Sequence, residues 1–332
     1  MKVMRYQDGF WPNLLALGYI LTGYFTGWWL LMVGQSMWYP LGVVLLAHSM
    51  IFAAYMIHEC AHNTIFANNK WNANLGRVLM WFTGACYGTY EEIRHKHFRH
   101  HVDKADVVAF DYRPRLAQYP RLVKVMKALE WCYIPAIEIM MHVLVIILPF
   151  TLANRRHKRA LVIRVLLTRG TVFAIIFSYQ PAAMMFYAVA YMLFLTIMRY
   201  MDVHQHTYEI FETLDQPRGD EGKHFDHEYE VRNTFSNMIS MRHPWLNLLV
   251  LNFGYHNAHH EKPTMPWYKL PTLHHELFAC DTRQMFPFVN LIKSYHQYRV
   301  PRMLNADEGD LADLEKGRRF IGVDGVSFLT AH

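Results

Sequence analysis

Cysteine is scarce in this chain of 332 residues. Cys60, Cys86, Cys132 and Cys280 lie far apart and form no Cys-x-x-Cys pair, which argues against a zinc ribbon, a cysteine-held iron–sulfur cluster or a disulfide framework. An excess of one charge is also missing. The 33 Lys and Arg are dispersed against 27 Asp and Glu, for a formal net charge of +6. No basic stripe carries interleaved stacking aromatics, so nucleic acid is not an expected partner. The sequence has no internal repeat, no Gly/Ser linker and no second soluble domain. It also lacks a haem motif and a flavin fingerprint, so any redox chemistry must draw its electrons from elsewhere.

What the chain has in quantity is apolar and aromatic mass, and histidine. Hydrophobic residues make up 53% and aromatics 15%, yet mean hydropathy is only +0.01. Apolar blocks must therefore alternate with strongly polar ones. Residues 11–33 carry no charge and as a helix would span about 34 Å, enough for a hydrocarbon core of ~30 Å. The segment is too long for a signal peptide and has no small-residue cleavage site. A second uncharged run, 38–57, completes a hairpin turning at Gly34, Gln35 and Ser36, and leads directly into His58 and His62. Residues 75–90 are apolar but short and interrupted by glycine, which predicts a re-entrant or interfacial piece.

Three further apolar stretches cover 132–153, 161–178 and 182–201. Histidine clusters precede and follow them, and sharing one membrane side requires an even number of crossings. The basic cluster Arg155, Arg156, Lys158 and Arg159 marks a short cytoplasmic loop. This makes 132–153, which carries Glu138 and His142, interfacial or partly buried. The other two stretches form a second hairpin, turning at Tyr179, Gln180 and Pro181. The expected architecture is an all-α integral membrane protein with about four transmembrane helices in two hairpins. Interfacial helices and a histidine-rich cytoplasmic cap complete it, with both termini cytoplasmic. Residues 1–300 form the membrane domain, with an acid-rich segment at 207–233 that loops at Gln216–Gly219. The charged tail at 301–332 is expected to be peripheral or partly disordered.

Ten of the 21 histidines fall into four clusters. They are His58-Glu-Cys-Ala-His62; His97-Phe-Arg-His100-His101; Asp202-Val-His204-Gln-His206; and His256-Asn-Ala-His259-His260. Spacings of three and four put side chains on one helix face, so each cluster is expected to converge. Imidazole suits iron, copper, nickel or zinc. Eight histidines in the three clearest boxes exceed the three or so protein ligands of a catalytic zinc, and point to two metal ions.

In these boxes the sequence resembles the membrane fatty acid desaturase superfamily, whose signature is HxxxH, HxxHH and a late HxxHH. The stretch from Asn252 through His256, His259 and His260 to Pro263, Pro266, Trp267 and Pro271 is similar to its most recognisable passage. The resemblance spans about residues 40–275. It implies iron ligation by His58, His62, His97, His100, His101, His256, His259 and His260. A ninth ligand is implied by the Asp202–His206 spacing, with His206 preferred over His204. Asp202 stands where some desaturases carry Asn. Asp202, Asp103 and Asp106 are candidates for supporting the ligands from behind. His95, His48, His224, His227, His243, His274 and His275 are read as surface or packing residues.

The resemblance further implies two Fe as cofactor, O2 as co-substrate and a fatty acyl substrate lying among membrane lipids. An external electron donor of ferredoxin, rubredoxin or cytochrome b5-like type is implied as well. Arg94, Lys96 and Arg99 are candidates to receive an acidic donor, or to meet lipid headgroups. Desaturation leads. Oxidative decarboxylation of a free fatty acid to a terminal alkene, and acyl or carotenoid hydroxylation, share the motif. A metal transporter is the competing class; it predicts ionisable residues inside the spans.

Overall fold

The computed structural model describes residues 2–208, 211–214, 226–279, 281–286 and 288–304. The loop expected at 216–219, most of the tail from 301, His224 and Cys280 lie outside the described residues. Apart from two three-residue strands and isolated bridges, the regular structure of the described residues is helical. In order, the helices are α1 (Phe10–Val33), α2 (Tyr39–Ala61), α3 (Asn69–Thr83), α4 (Tyr90–Asp103), α5 (Arg113–Leu116) and α6 (Pro120–Trp131). They continue as α7 (Ala136–Thr151), α8 (Arg159–Tyr179), α9 (Pro181–Asp202), α10 (His227–Arg232), α11 (His256–Glu261), α12 (Leu270–Phe278) and α13 (Phe288–Tyr298). The strands are β1 (Asp106–Val108) and β2 (Phe211–Thr213), paired in parallel with Val107 opposite Glu212.

Two compact units emerge, one of residues 1–92 and 139–197, the other of 93–138 and 198–331. The first holds the apolar hairpins. Among the described residues, four helices are long and apolar enough to cross a membrane: Gln7–Val33, Ser36–Ala61, Ala153–Tyr179 and Pro181–Asp202. Gly34 ends α1 at φ 75°, a left-handed turn that glycine enters at no steric cost. Pro40 and Pro181 then restart helices at their first turns, where a missing N–H costs nothing. The α1–α2 hairpin closes tightly because small residues line it. A Cβ on Gly27 would come 2.7 Å from the Leu46 side chain, and one on Gly42 2.7 Å from Leu31.

Helix α7 has 16 residues, about 24 Å, short of a ~30 Å core. The expected interfacial reading of 132–153 therefore has a length to match. Helix α3 starts at Asn69, where the Asn68 side chain accepts from the Lys70 N–H at 2.9 Å, and it stops at Gly84, φ 78°. Its final carbonyls are met by side chains: Arg169 donates to Trp81 O at 2.7 Å, and the Tyr191 hydroxyl to Thr83 O at 3.2 Å. The last four carbonyls of a helix have no partner within it, and these side chains supply donors for two of them.

The second unit packs around two apolar clusters. One joins Phe235, Phe286 and Leu291; the other joins Met238, Tyr255 and Leu270. Arg199, near the end of α9, is buried between Glu130 of α6 at 2.5 Å and Glu138 of α7 at 3.3 Å. Removing one partner of such a buried set leaves an uncompensated charge, which costs several kcal/mol, about 3–5 by analogy.

Candidate metal centre

In the second unit, α4 brings up one histidine box and α11 another. Two residues before α11 sit in the left-handed region, Leu251 at φ 45° and Asn252 at φ 57°, so the chain reverses sharply into this short helix. The Asn252 side chain secures the reversal by donating to Trp267 O at 3.2 Å.

Seven histidines of this unit fall into two groups. His100, His206, His256 and His260 offer ring nitrogens within 4.8 Å of one another, as do His97, His101 and His259. Each HxxHH box therefore divides instead of converging as expected. On a helix, positions i and i+4 lie about 40° apart, while i+3 and i+4 are about 100° apart. So His97 and His101 point together and take His259 from the other box. His256 and His260 point together and take His100 in return.

Hydrogen bonds fix several tautomers. His100 Nδ1 lies 3.0 Å from the Ala105 carbonyl, which only accepts, so Nδ1 carries the proton and Nε2 keeps its lone pair. His260 Nδ1 lies 3.0 Å from Glu230 Oε1, with the same consequence for its Nε2. Those free nitrogens sit among others. His206 Nε2 is 3.0 Å from both His256 Nε2 and His260 Nε2, and His101 Nε2 is 3.1 Å from both His97 Nε2 and His259 Nε2.

Burial favours the neutral form of three of these rings. It pushes His100 down to about 3, helped by the neighbouring His260, and holds His206 and His256 well below the usual imidazole range with help from adjacent imidazoles. Neutral, convergent, water-poor imidazoles are the form in which histidine binds a metal. The donor set fits ions that accept nitrogen, and gives little to a hard cation such as Mg2+.

His58 and His62, in the first unit, close α2 with both rings buried and centroids 4.7 Å apart. Glu59 beside them accepts from the Thr64 hydroxyl at 2.6 Å.

His206 joins the group of four, but not from the helical face that its spacing from Asp202 suggested. Helix α9 ends at Asp202, so no helical face carries both side chains. His206 is delivered by an isolated bridge to Thr234. His204 points elsewhere, its Nδ1 2.9 Å from Tyr200 O. Asp202 ends its helix half-buried. Asp103 is held by Arg99 at 2.7 Å. Asp106 begins β1, and its side chain is outside the described residues.

The cationic patch also needs correction. Lys96 is buried, Arg99 reaches Asp103 and the Thr213 and Leu214 carbonyls, and Arg94 lies over the Phe98 ring. The helix turns these residues inward or across its own surface, so they do not form an exposed landing site. Glu230 is the contributor that spacing did not find. It belongs to no box, and only the acid-rich character of 207–233 pointed toward it. Its other oxygen meets Lys104 Nζ at 3.2 Å. Burial pushes its carboxyl up, but the bond and charge of His260, with Lys104, outweigh this and hold it below its usual range.

Of the remaining histidines, His48 bonds the Tyr19 hydroxyl at 2.5 Å, and His95, His227, His243 and His275 are exposed. His274 is buried against Tyr255 and Phe278.

The chain matches the family model described as fatty acid desaturase over residues 35–289, well over half its length. No curated protein matches it. It belongs to the fatty acid desaturase family, and is an integral membrane oxidoreductase of fatty acyl chains.

Proposed function

We infer that the chain introduces a double bond into a fatty acyl chain, with O2 as oxidant and two irons as cofactor. The balance is –CH2–CH2– plus O2, two electrons and two protons, giving –CH=CH– and two waters. The observation that carries this reading is the pair of separate, all-nitrogen histidine groups in a desaturase-family chain. His100, His206, His256 and His260 would hold one ion, and His97, His101 and His259 would contribute to the other. The family resemblance makes His58 and His62, the first box, ligands as well.

When bound, the irons supply the O2 and one-electron chemistry that no side chain can perform on an unactivated C–H bond. The protein's residues do the rest. The buried rings of His100, His206 and His256 remain neutral, while Glu230 and the Ala105 carbonyl fix the tautomers of His260 and His100. Apolar contact holds the acyl chain, and regiochemistry comes from the shape of its channel. Electrons come from an external ferredoxin, rubredoxin or cytochrome b5-like donor, and the histidines face the cytoplasm with both termini.

Mass spectrometry of lipids and headspace from expressing cells, paired with metal analysis, tests the proposal. Internal alkenes and about two irons per chain are expected. A terminal alkene shortened by one carbon, or an alcohol, would replace desaturation with decarboxylation or hydroxylation. Stoichiometric zinc in active protein would remove the redox reading altogether.

A further inference from the structure

Arg169 occupies the middle of α8, ten residues after Arg159. That is about 15 Å along the helix axis, half of a ~30 Å hydrocarbon core. An arginine keeps its charge at that depth, and such residues mark ligand paths or buried partners.

Its surroundings account for part of the guanidinium. Nη1 donates to Trp81 O at 2.7 Å and approaches Cys86 Sγ at 3.8 Å, and Nη2 donates to the Tyr187 hydroxyl at 3.2 Å. The Phe173 ring lies 5.1 Å from the guanidinium carbon. The titratable groups that act on it are Tyr187, Cys86, Tyr24, Tyr87 and, from α9, Tyr191; none is a carboxylate. Among the described residues no carboxylate lies within ion-pair distance. Nε is buried without a hydrogen-bond partner. The Nε–Nη2 edge is the one that pairs side-on with a carboxylate.

Beside this residue is a cleft of about 230 Å³. Thr168 and Arg169 are its polar part, and Tyr24, Phe25, Trp81, Phe82, Val172 and Phe173 wall it with apolar surface. A single fixed cation at the edge of an apolar slot, deep in a span, matches an amphiphile with one negative end.

We propose that this cleft binds an unesterified fatty acid, its carboxylate on Arg169 and the adjoining methylenes against Phe25, Phe82, Val172 and Phe173. Depth selects the occupant. A phospholipid phosphate stays at the interface, about 15 Å away, whereas a carboxylate at the end of one flexible chain can be carried inward by its tail. Charge selects it too, since an ester or thioester offers no anion to the guanidinium. The structural duty of Arg169, capping α3, uses Nη1; Nη2 has a second N–H beyond its bond to Tyr187, and the Nε–H has no partner. The proposal rests on the fatty acyl chemistry inferred above, and binding is read without turnover so that the two can fail separately.

The test is photolabelling of the full-length, metal-loaded protein in nanodiscs with a diazirine-bearing fatty acid, mapped by peptide mass spectrometry. Label is expected on the segments around Phe82 and Phe173. Free dodecanoate should compete it away, while methyl dodecanoate should compete roughly ten- to hundredfold more weakly, the value of a charge-assisted pair. Arg169→Gln should weaken labelling by a similar factor and Arg169→Lys less. Equal competition by the methyl ester overturns the proposal, as does label confined to other segments. Competition by phosphatidylglycerol but not dodecanoate also overturns it, in favour of a lipid headgroup. The ester comparison uses unaltered protein, so it decides even if the variants do not fold.

Discussion

Glu230 carries two ties at once, Oε1 to His260 Nδ1 and Oε2 to Lys104 Nζ, and it joins a ring nitrogen whose other face belongs to the histidine group of four. Carboxylates placed behind a ligand histidine set its tautomer and raise its basicity. Glu230→Ala is therefore expected to weaken iron binding roughly 10- to 100-fold, while Glu230→Gln, whose amide oxygen still accepts from Nδ1–H, is milder. Titration of metal-free protein with Fe2+ measures both; equal affinities for the alanine variant and the parent would reduce Glu230 to a surface tie.

His206→Ala should leave about one iron per chain instead of two, and His204→Ala should leave both, because His204 bonds a backbone carbonyl away from the group. Protonation gives a separate check. The unfolded chain binds a proton at His100 below its ordinary value of 6.5, which the fold refuses until about 3. Stability of the metal-free protein must then fall as pH falls through that window. A melting temperature that rises between pH 6.5 and pH 5 contradicts the buried, neutral ring.

Elements explain why some of this was legible and some was not. The boxes gave six of the seven grouped histidines in the second unit by residue type and spacing, since i and i+4 neighbours on α4 and α11 do point together. The exchange of one histidine between boxes depends on how α4 and α11 face each other, a tertiary fact absent from either local pattern. His206 depended on a β-bridge to Thr234 where the apolar run suggested continuing helix; three turn residues intervene after Asp202.

The short apolar segment at 75–90 reads as re-entrant or interfacial from its length and glycines, but the donors to the last carbonyls of α3, Arg169 and Tyr191, come from distant sequence. Gly84 tests that element. Its φ is 78° and a Cβ there would lie 2.6 Å from the Tyr191 hydroxyl. Gly84→Ala is expected to destabilise by about 1–3 kcal/mol, whereas Gly18→Ala, with nothing within 4 Å of its Cβ, should be near neutral. Thermal unfolding in detergent separates them, and equal melting temperatures would show that the turn at Gly84 is not fixed.

At the scale of the whole chain, apolar length located all four candidate spans, because a helix able to cross hydrocarbon must be about 20 residues of mostly apolar sequence. The sidedness rests on two arguments, even parity of crossings and the basic residues between α7 and α8. That loop is less exposed than its charge suggests. Arg155 and Lys158 are buried, Lys158 pairs with Glu92, and Arg159 donates to the Pro149 and Phe150 carbonyls. Orientation is nonetheless decided during insertion, by positive charge near the helix ends, and those ends carry four Lys and Arg in Arg155–Arg159.

Arg156 is exposed, as is Tyr179 at the opposite end of α8. In a Cys132→Ser background, which removes an exposed native thiol, a membrane-impermeant maleimide should label Tyr179→Cys in intact cells and Arg156→Cys only after permeabilisation. Labelling in the reverse order would invert the protein and place the histidine boxes on the outer face, away from any cytoplasmic electron donor. Labelling of both sites in intact cells would mean that α8 does not cross, leaving an odd number of spans and separating the boxes that precede α8 from those that follow α9.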